Sequence, residues 1–255
     1  MKWEHELEIR LIREYYYTIM NILEVPENYD VSQYERPSVT VDVVIFSLFD
    51  EELRVLLSKR RSWPNKGMWA IPGGFVHIDE TLEDAAYREL VEETHVTRNQ
   101  VYLEQLYTFG NPNRDPRTRV ITVAYFTIVR ANQLTPQADD DATDVGWFSV
   151  HTPPPLAFDH AQIIEYALKR LRFKLEYTAV GFQFLPEKFT LRELQTTYEI
   201  VLGTKLDKGN FRSKLRKANV LEVVDGYRNT GGRPARLYHF REDAVAEVKT
   251  RRLFP

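Results

Sequence analysis

The stretch from Gly74 to Glu93 constrains this chain more than any other. It runs Gly74, five residues, Glu80, seven residues, then Arg88, Glu89, Leu90, Val91, Glu92 and Glu93. The apolar spacing over Leu82–Thr94 predicts a helix. At 100° per residue, Glu89, Glu92 and Glu93 fall in one narrow stripe, continuing Leu82, Ala85 and Ala86. The alanines let the first half of the helix approach neighbouring backbone, and the carboxylates emerge together at its C-terminal half. Like charges placed there repel one another and oppose the helix dipole. Cations relieve that repulsion, and hard carboxylate oxygens suit Mg²⁺ or Mn²⁺, ions that also bridge phosphate oxygens. The pattern therefore points to a metal-bound diphosphate, with Glu80, Arg88 or a second carboxylate placed to orient the ligands. A solvated acidic helix face would give no reason for the glycine turn at the same spacing.

The chain has no cysteine, which excludes disulfides and thiolate metal sites and fits a reducing cytoplasm. No apolar run approaches membrane-spanning length, so the expected location is cytoplasmic, with no membrane partner. The near-neutral total hides an asymmetry. Residues 177–255 carry 15 Lys+Arg against 9 Asp+Glu, a net of +6, which leaves −9 on residues 1–176. A basic end beside an acidic one suggests a polyanionic partner such as nucleic acid, with chance clustering of surface charge as the alternative.

Residues 4–23 read as an amphipathic helix with Leu7, Leu11, Tyr15 and Ile19 on one stripe. Residues 1–37 are expected to form an N-terminal helical extension. Strands are expected at Val39–Phe49, Leu53–Ser58, Val101–Phe109, Val120–Val129 and Val145–Val150, with a loop from Lys59 to Gly74 and a closing helix at His160–Leu175, where Asp159 is placed to cap. Strands flanking a helix, with a second helix closing the other face, make residues 38–176 a three-layer α/β/α sandwich. Residues 177–255 follow a different order. A capping box at Thr190 and Glu193 opens one helix, and Asp207 caps a second running to about Asn219. Strands at Val220–Val224 and Ala235–Phe240 flank a Gly-rich basic loop. Helix, turn, helix and two-stranded wing is the order of a winged helix-turn-helix. In the second helix Phe211, Leu215 and Ala218 form the buried stripe. Asn210, Arg212, Ser213, Lys214, Arg216 and Lys217, with Arg233 and Arg236 from the wing, are the candidate DNA-binding residues.

The Gly74–Val96 segment resembles the signature of the Nudix hydrolases, G-x5-E-x7-R-E-U-x-E-E-x-G-U, at every charged position. It departs only at His95, where the family has glycine. The resemblance implies a catalytic set of Glu89, Glu92, Glu93, Glu80 and Arg88, and a metal site from the Gly73 carbonyl, Glu89, Glu92 and Glu93. His95 puts the helix cap in question rather than the metal site. Lys59, Arg60 and the segment Trp69–Gly74 look like those of ADP-ribose-type Nudix proteins, as does the loop Asn111–Arg117. Candidate substrate residues are Arg60, Gly74, Arg114, Asp115 and Arg117. The guanidiniums suit phosphates or ribose hydroxyls, or else serve as loop salt-bridge partners. Tyr107, Phe109 and Trp63 either stack on a base or belong to the core. Asp140 or Asp141 is a candidate general base.

The whole chain resembles the Nudix-related transcriptional regulators of NAD metabolism, the NrtR family, over residues 38–240. The segments Gly231–Arg236 and Asp207–Phe211 look like theirs. The resemblance implies ADP-ribose or a related nucleoside diphosphate as the ligand, a homodimer, and double-stranded operator DNA. The intact carboxylates imply that Mg²⁺-dependent hydrolysis is retained. The competing expectation is a plain ADP-ribose diphosphatase, giving AMP and ribose 5-phosphate, whose winged part serves dimerisation.

Overall fold

The structure is a computed structural model and describes residues 30–94, 101, 103–130, 142–229 and 234–241. The expected helix over 4–23, His95, Asp139 to Asp141 and Arg233 lie outside the described residues. The chain divides into two compact units, residues 1–36 and 37–255. In the first, the described part holds a single 3-10 turn, Val31–Gln33, capped by Asp30, which accepts from the Ser32 N–H at 2.8 Å.

The second unit begins with β1, Ser38–Phe49, and β2, Glu52–Arg60. Asp50 and Glu51 join them at φ +50° and +60°, the left-handed pair that a two-residue hairpin turn requires. The stretch expected to be a loop contains two short strands, β3 (Trp69–Ala70) and β4 (Gly73–Phe75). Helix α1 (Leu82–Thr94) has the expected bounds. After it come β5 (Leu103–Phe109), β6 (Val120–Ile128), β7 (Ala142–Ser149) and α2 (His160–Tyr177). The main sheet runs β3-β2-β1-β6-β5, with β4 paired to β1 and β7 to β2. Among the described strand pairs of this sheet, β1–β6 alone is parallel.

Because β1 is covered on both faces, its apolar run is continuous rather than alternating. Val41, Val43 and Ile45 pack with Ala85, Ala86 and Leu90 of α1. Val44 and Phe46 pack with Ile163, Ala167, Leu171 and Leu175 of α2. The α/β/α sandwich is therefore present, with β1 at its centre. Leu82, expected on the buried stripe of α1, is 37% exposed: the packed face starts one turn later, at Ala85.

The C-terminal part holds a 3-10 segment (Val180–Phe184), β8 (Phe189–Thr190), α3 (Leu191–Leu202), α4 (Lys208–Ala218), β9 (Leu221–Arg228) and β10 (Ala235–Phe240). The capping box is complete: Thr190 Oγ1 accepts from the Glu193 N–H, and Glu193 Oε2 accepts from the Thr190 N–H. Gly203 ends α3 at φ +71°, and Asp207 caps α4 by accepting from the Asn210 N–H. The wing is a three-stranded sheet, β8-β10-β9, because β8 adds a short strand to the expected pair. One apolar core runs from Phe46 and Val55 through Leu171 and Leu175 to Phe184, Tyr198, Phe211 and Leu215. The winged part is thus built onto the sandwich through α2.

Candidate ligand site and nucleic-acid interface

The glycine turn and α1 meet where the sequence pattern concentrates charge. β4 pairs with β1 so that Gly73 lies opposite Asp42 and Gly74 opposite Val41. A Cβ on Gly74 would sit 3.0 Å from Glu89 Cδ and collide with Glu89 Oε1. Close approach of backbone to carboxylate is what demands glycine here. Arg88 is the organising cation. It donates to both oxygens of Glu80, at 2.7 and 3.1 Å, to Glu89 Oε1 at 2.6 Å, to Glu92 Oε2 at 3.5 Å, and to the Phe75 carbonyl at 3.2 Å. The His77 N–H adds a further bond to Glu80. Hydrogen bonds from Arg88 and His77 pull the Glu80 carboxyl down to about 2. Glu89 behaves oppositely: it is only 9% exposed, and burial pushes its carboxyl up against the pull of Arg88, with repulsion from Glu92 and Asp42 adding to the rise.

A buried carboxylate opposed by two others is a position that a divalent cation relieves, and its donors are hard oxygens. The described residues, Glu89 and Glu92, fit a divalent cation of the hard, oxygen-binding kind. Glu89 and Glu92 emerge from the same part of α1 as expected, with Glu92 exposed. Glu93 is in α1, but its side chain lies outside the described residues.

Beside the glycine turn is a cleft of about 160 Å³ lined by Thr40, Asp42, Arg60, Ser62, Ile71, Gly73, Gly74, Phe75, Arg114, Asp115, Arg117, Phe158 and His160. All five expected substrate residues are here. Their partners show which alternative holds for each arginine. The Arg114 side chain is 4% exposed and donates to both oxygens of Asp159, at 2.7 and 2.9 Å, and to Asp42 at 3.5 Å. Its Nη1 has no partner among the described residues. Arg117 is paired with Asp115 and lies over the rings of Phe75 (5.1 Å) and Phe158 (5.8 Å). Arg60 donates to the Pro64 carbonyl and lies 4.9 Å from the Phe158 centroid. The arginines are salt-bridged or stacked and also face the cleft.

One expectation is overturned. Asp159 stands at the N-cap of α2 but makes no side-chain cap bond, because its carboxylate is committed to Arg114. A charge-assisted bidentate pair outweighs a bond to a backbone N–H. Seven lining residues were missed, and three of them, Asp42, His160 and Phe158, shape the site most. Asp42 is the one charged residue in an apolar strand, a break in pattern that signals a site. His160 is buried, accepts from the Ile71 N–H through Nδ1 at 2.9 Å, and places Nε2 3.7 Å from Asp42. Burial lowers its pKa, against the pull of Asp42. Phe158 carries no sequence signal: its φ of +51° exists only in the fold. Among the aromatics, Phe109 is buried and packs on Tyr166, Tyr107 stacks on Tyr166, and Trp63 is 69% exposed. None of the three lines the cleft.

At the other end, Phe211 and Leu215 bury α4 and Ala218 is half-buried. Asn210, Arg216 and Lys217 are exposed, Arg212, Ser213 and Lys214 half-exposed, and Arg236 exposed on β10. Arg216 donates to the Arg212 carbonyl. Arg228 of β9 pairs with Glu193, which ties the wing to the start of α3. A helix with one buried stripe and a basic outer surface, braced beside a wing, has the form of a major-groove reader.

Comparison with known proteins agrees with this geometry. The NUDIX domain model matches residues 39–167, and the NrtR DNA-binding winged helix domain model matches residues 181–240. The ADPR responsive transcriptional repressor NtrR of Acinetobacter baylyi is 39% identical over 216 residues, covering 83% of this chain and 85% of that one. The crystal structure of Shewanella oneidensis NrtR complexed with a 27mer DNA superposes with a TM-score of 0.73 at 38% identity, over 84% of this chain and 96% of that chain. The ADP-ribose pyrophosphatase of Methanocaldococcus jannaschii is 39% identical over 132 residues, 52% of this chain and 73% of that relative. With a Nudix site and an NrtR winged helix built on one core, the chain belongs to the Nudix family, in its NrtR group.

Proposed function

We propose that this protein is an ADP-ribose-responsive transcriptional regulator. Residues 177–255 act as the DNA-binding domain, residues 38–176 as the ligand-binding Nudix domain, and residues 1–37 as an extension. The observation that carries the reading is the single core that joins an acidic diphosphate site to a basic winged helix. ADP-ribose lies in the cleft, with Arg60, Arg114 and Arg117 facing its phosphates and ribose hydroxyls. Asn210, Arg212, Ser213, Lys214, Arg216 and Lys217 face the major groove, and Arg233 and Arg236 the flanking backbone. A homodimer reads an operator of two-fold character, and ligand changes the placement of its two winged parts. The test is fluorescence anisotropy on operator duplex, obtained by in vitro selection, with and without saturating ADP-ribose. DNA affinity unmoved by the ligand sinks the reading.

A second activity is favoured by the full carboxylate set and the Glu80–Arg88 brace. We infer that the site also hydrolyses ADP-ribose to AMP and ribose 5-phosphate, so that the regulator clears its own signal. Glu89, Glu92, Glu93 and the Gly73 carbonyl would hold Mg²⁺ or Mn²⁺, which when bound would neutralise the diphosphate and acidify a water. Glu80 fixes Arg88, and Arg88 fixes the orientation of Glu89 and Glu92. Product analysis with ADP-ribose and Mg²⁺, beside Glu93→Gln, decides it: absence of metal-dependent AMP removes the enzyme and leaves the sensor.

A further inference from the structure

The head of α2 sets three consecutive residues around the cleft. Phe158 is held left-handed, a conformation that residues with a Cβ disfavour, with its ring beside Arg60 and Arg117. Asp159 holds Arg114, and His160 accepts from Ile71. A diphosphate entering this cleft competes for the Arg114 and Arg117 guanidiniums, which carboxylates already engage. Two of these pairs differ in reach. Arg117 and Asp115 are two residues apart on one loop, and a change in their pairing stays in that loop. Arg114 and Asp159 are 45 residues apart, and their pairing joins the loop to the first turn of α2.

The other end of α2 is fixed to the DNA-binding helices. Its 18 residues span about 27 Å. Arg172 donates from Nε to the Val201 carbonyl, on the last turn of α3, at 2.9 Å. Leu175 is buried in the core shared with Tyr198 and Phe211. A helix packed at both ends carries a displacement of one end to the other, because close-packed cores do not absorb it.

We propose that Asp159 is the positioning residue through which ligand occupancy reaches the winged helix. It acts through its pair with Arg114 on the head of α2. The inference rests on the ligand-responsive reading above and adds the route. The experiment compares wild type, D159N and E52Q at full length, by calorimetry with ADP-ribose in Mg²⁺ and by anisotropy on selected duplex with and without saturating ADP-ribose. A shift of about tenfold in wild-type DNA affinity is expected, within the usual range of allosteric coupling. D159N binds ADP-ribose yet shifts DNA affinity by less than about twofold. E52Q makes the same charge change in an ion pair with Arg54 at the start of β2, outside the cleft lining, and keeps the wild-type shift. That contrast separates a route from a general loss of carboxylate charge. If D159N does not fold, R114K, which keeps the charge but not the bidentate fork, is expected to lose the shift in its place. A full shift in D159N, or in R114K where it replaces it, overturns the inference and leaves the regulator intact, as does an equal loss in E52Q. Absence of a shift in wild type overturns the regulator reading and the route with it.

Discussion

Gly74 faces the carboxylate of Glu89 with no room for a methyl group between them. Gly73, one residue earlier, is closed off by something different: a Cβ there would collide with the Val41 carbonyl and lie 2.9 Å from Asp42 Cα. The two glycines should therefore fail differently. In G74A the obstacle is the tip of a flexible side chain, which can swing away, so stability should fall by less than about 1 kcal/mol. The displaced carboxylate should nonetheless weaken Mg²⁺-dependent ADP-ribose binding. In G73A the obstacle is the backbone of β1, and a loss of about 1–3 kcal/mol is expected from a forced β1–β4 pairing. Urea midpoints and calorimetry on the two variants check this; equal destabilisation would contradict it.

His160 predicts an acid limb of the stability curve. Its folded pKa lies below 6.5 because it is buried, so the unfolded chain binds the proton more readily. Stability is complete above pH 6.5 and falls as pH drops from there toward the folded pKa. The loss is at most about 1.4 kcal/mol per pH unit for this one group. H160N keeps an acceptor for the Ile71 N–H and removes the titration. Urea unfolding of both proteins from pH 7.5 to 5 should show the variant less stable at pH 7.5 but flatter below 6.5. Parallel curves would remove His160 as the cause.

Glu193 works in the other direction within the winged part. Burial raises its carboxyl, but the Thr190 N–H and Arg228 together outweigh this and hold it low. Its contribution is present above the ordinary carboxylate value of 4.5 and is lost as pH falls through the lowered one. T190A removes one half of the capping box and should cost about 1 kcal/mol at neutral pH. Thermal unfolding followed at pH 7 measures that loss.

The long elements were legible because burial imposes a period on them. β1, β6, α1 and α2 each carry enough apolar residues to fix their type, and the capping residues fixed the starts of α3 and α4. β3, β4 and β8 span only two or three residues and carry no period. The carboxylates of α1 could be placed because helical geometry relates neighbours in sequence. The residues of the cleft were reached only through the family resemblance, and the partners of Arg114 could not be read at all, because its pairs with Asp42 and Asp159 close separations of 72 and 45 residues. Asp159 illustrates the limit. An aspartate before a helix is the ordinary signal of a cap, and only the fold brings a guanidinium near enough to take it away.

The basic face of α4 makes a prediction about salt. Lys217 is exposed and Lys214 half-exposed, and on the DNA-binding reading proposed above each would meet a phosphate at the edge of the major groove. Each lysine-to-alanine change should weaken binding to all duplexes alike and reduce the slope of log affinity against log salt by about 0.9. A change confined to one operator sequence would instead mean that the residue reads a base edge. Anisotropy titrations between low and moderate salt on two unrelated duplexes distinguish these outcomes.

Gly181 supplies the last prediction, because it lies where the two parts join. A Cβ there would sit 2.6 Å from Leu175 Cδ2 and 2.6 Å from Tyr198 Cε2, and both of those side chains are fully buried. Neither can retreat into solvent, so G181A should force α2 and α3 apart and destabilise by about 1–3 kcal/mol. The core beneath α1 contains none of these residues: Val41, Val43, Ile45, Ala85 and Ala86 pack on the opposite face of the sheet. Ligand affinity, reached only through the head of α2, should therefore fall by less than DNA affinity, which should fall by about tenfold, equivalent to roughly 1.4 kcal/mol. Calorimetry with ADP-ribose and anisotropy with duplex, run on the same preparation, test the separation. Equal losses in both would mean that the joint supports the cleft as well, and no loss in either would mean that the junction yields without moving the DNA-binding helices.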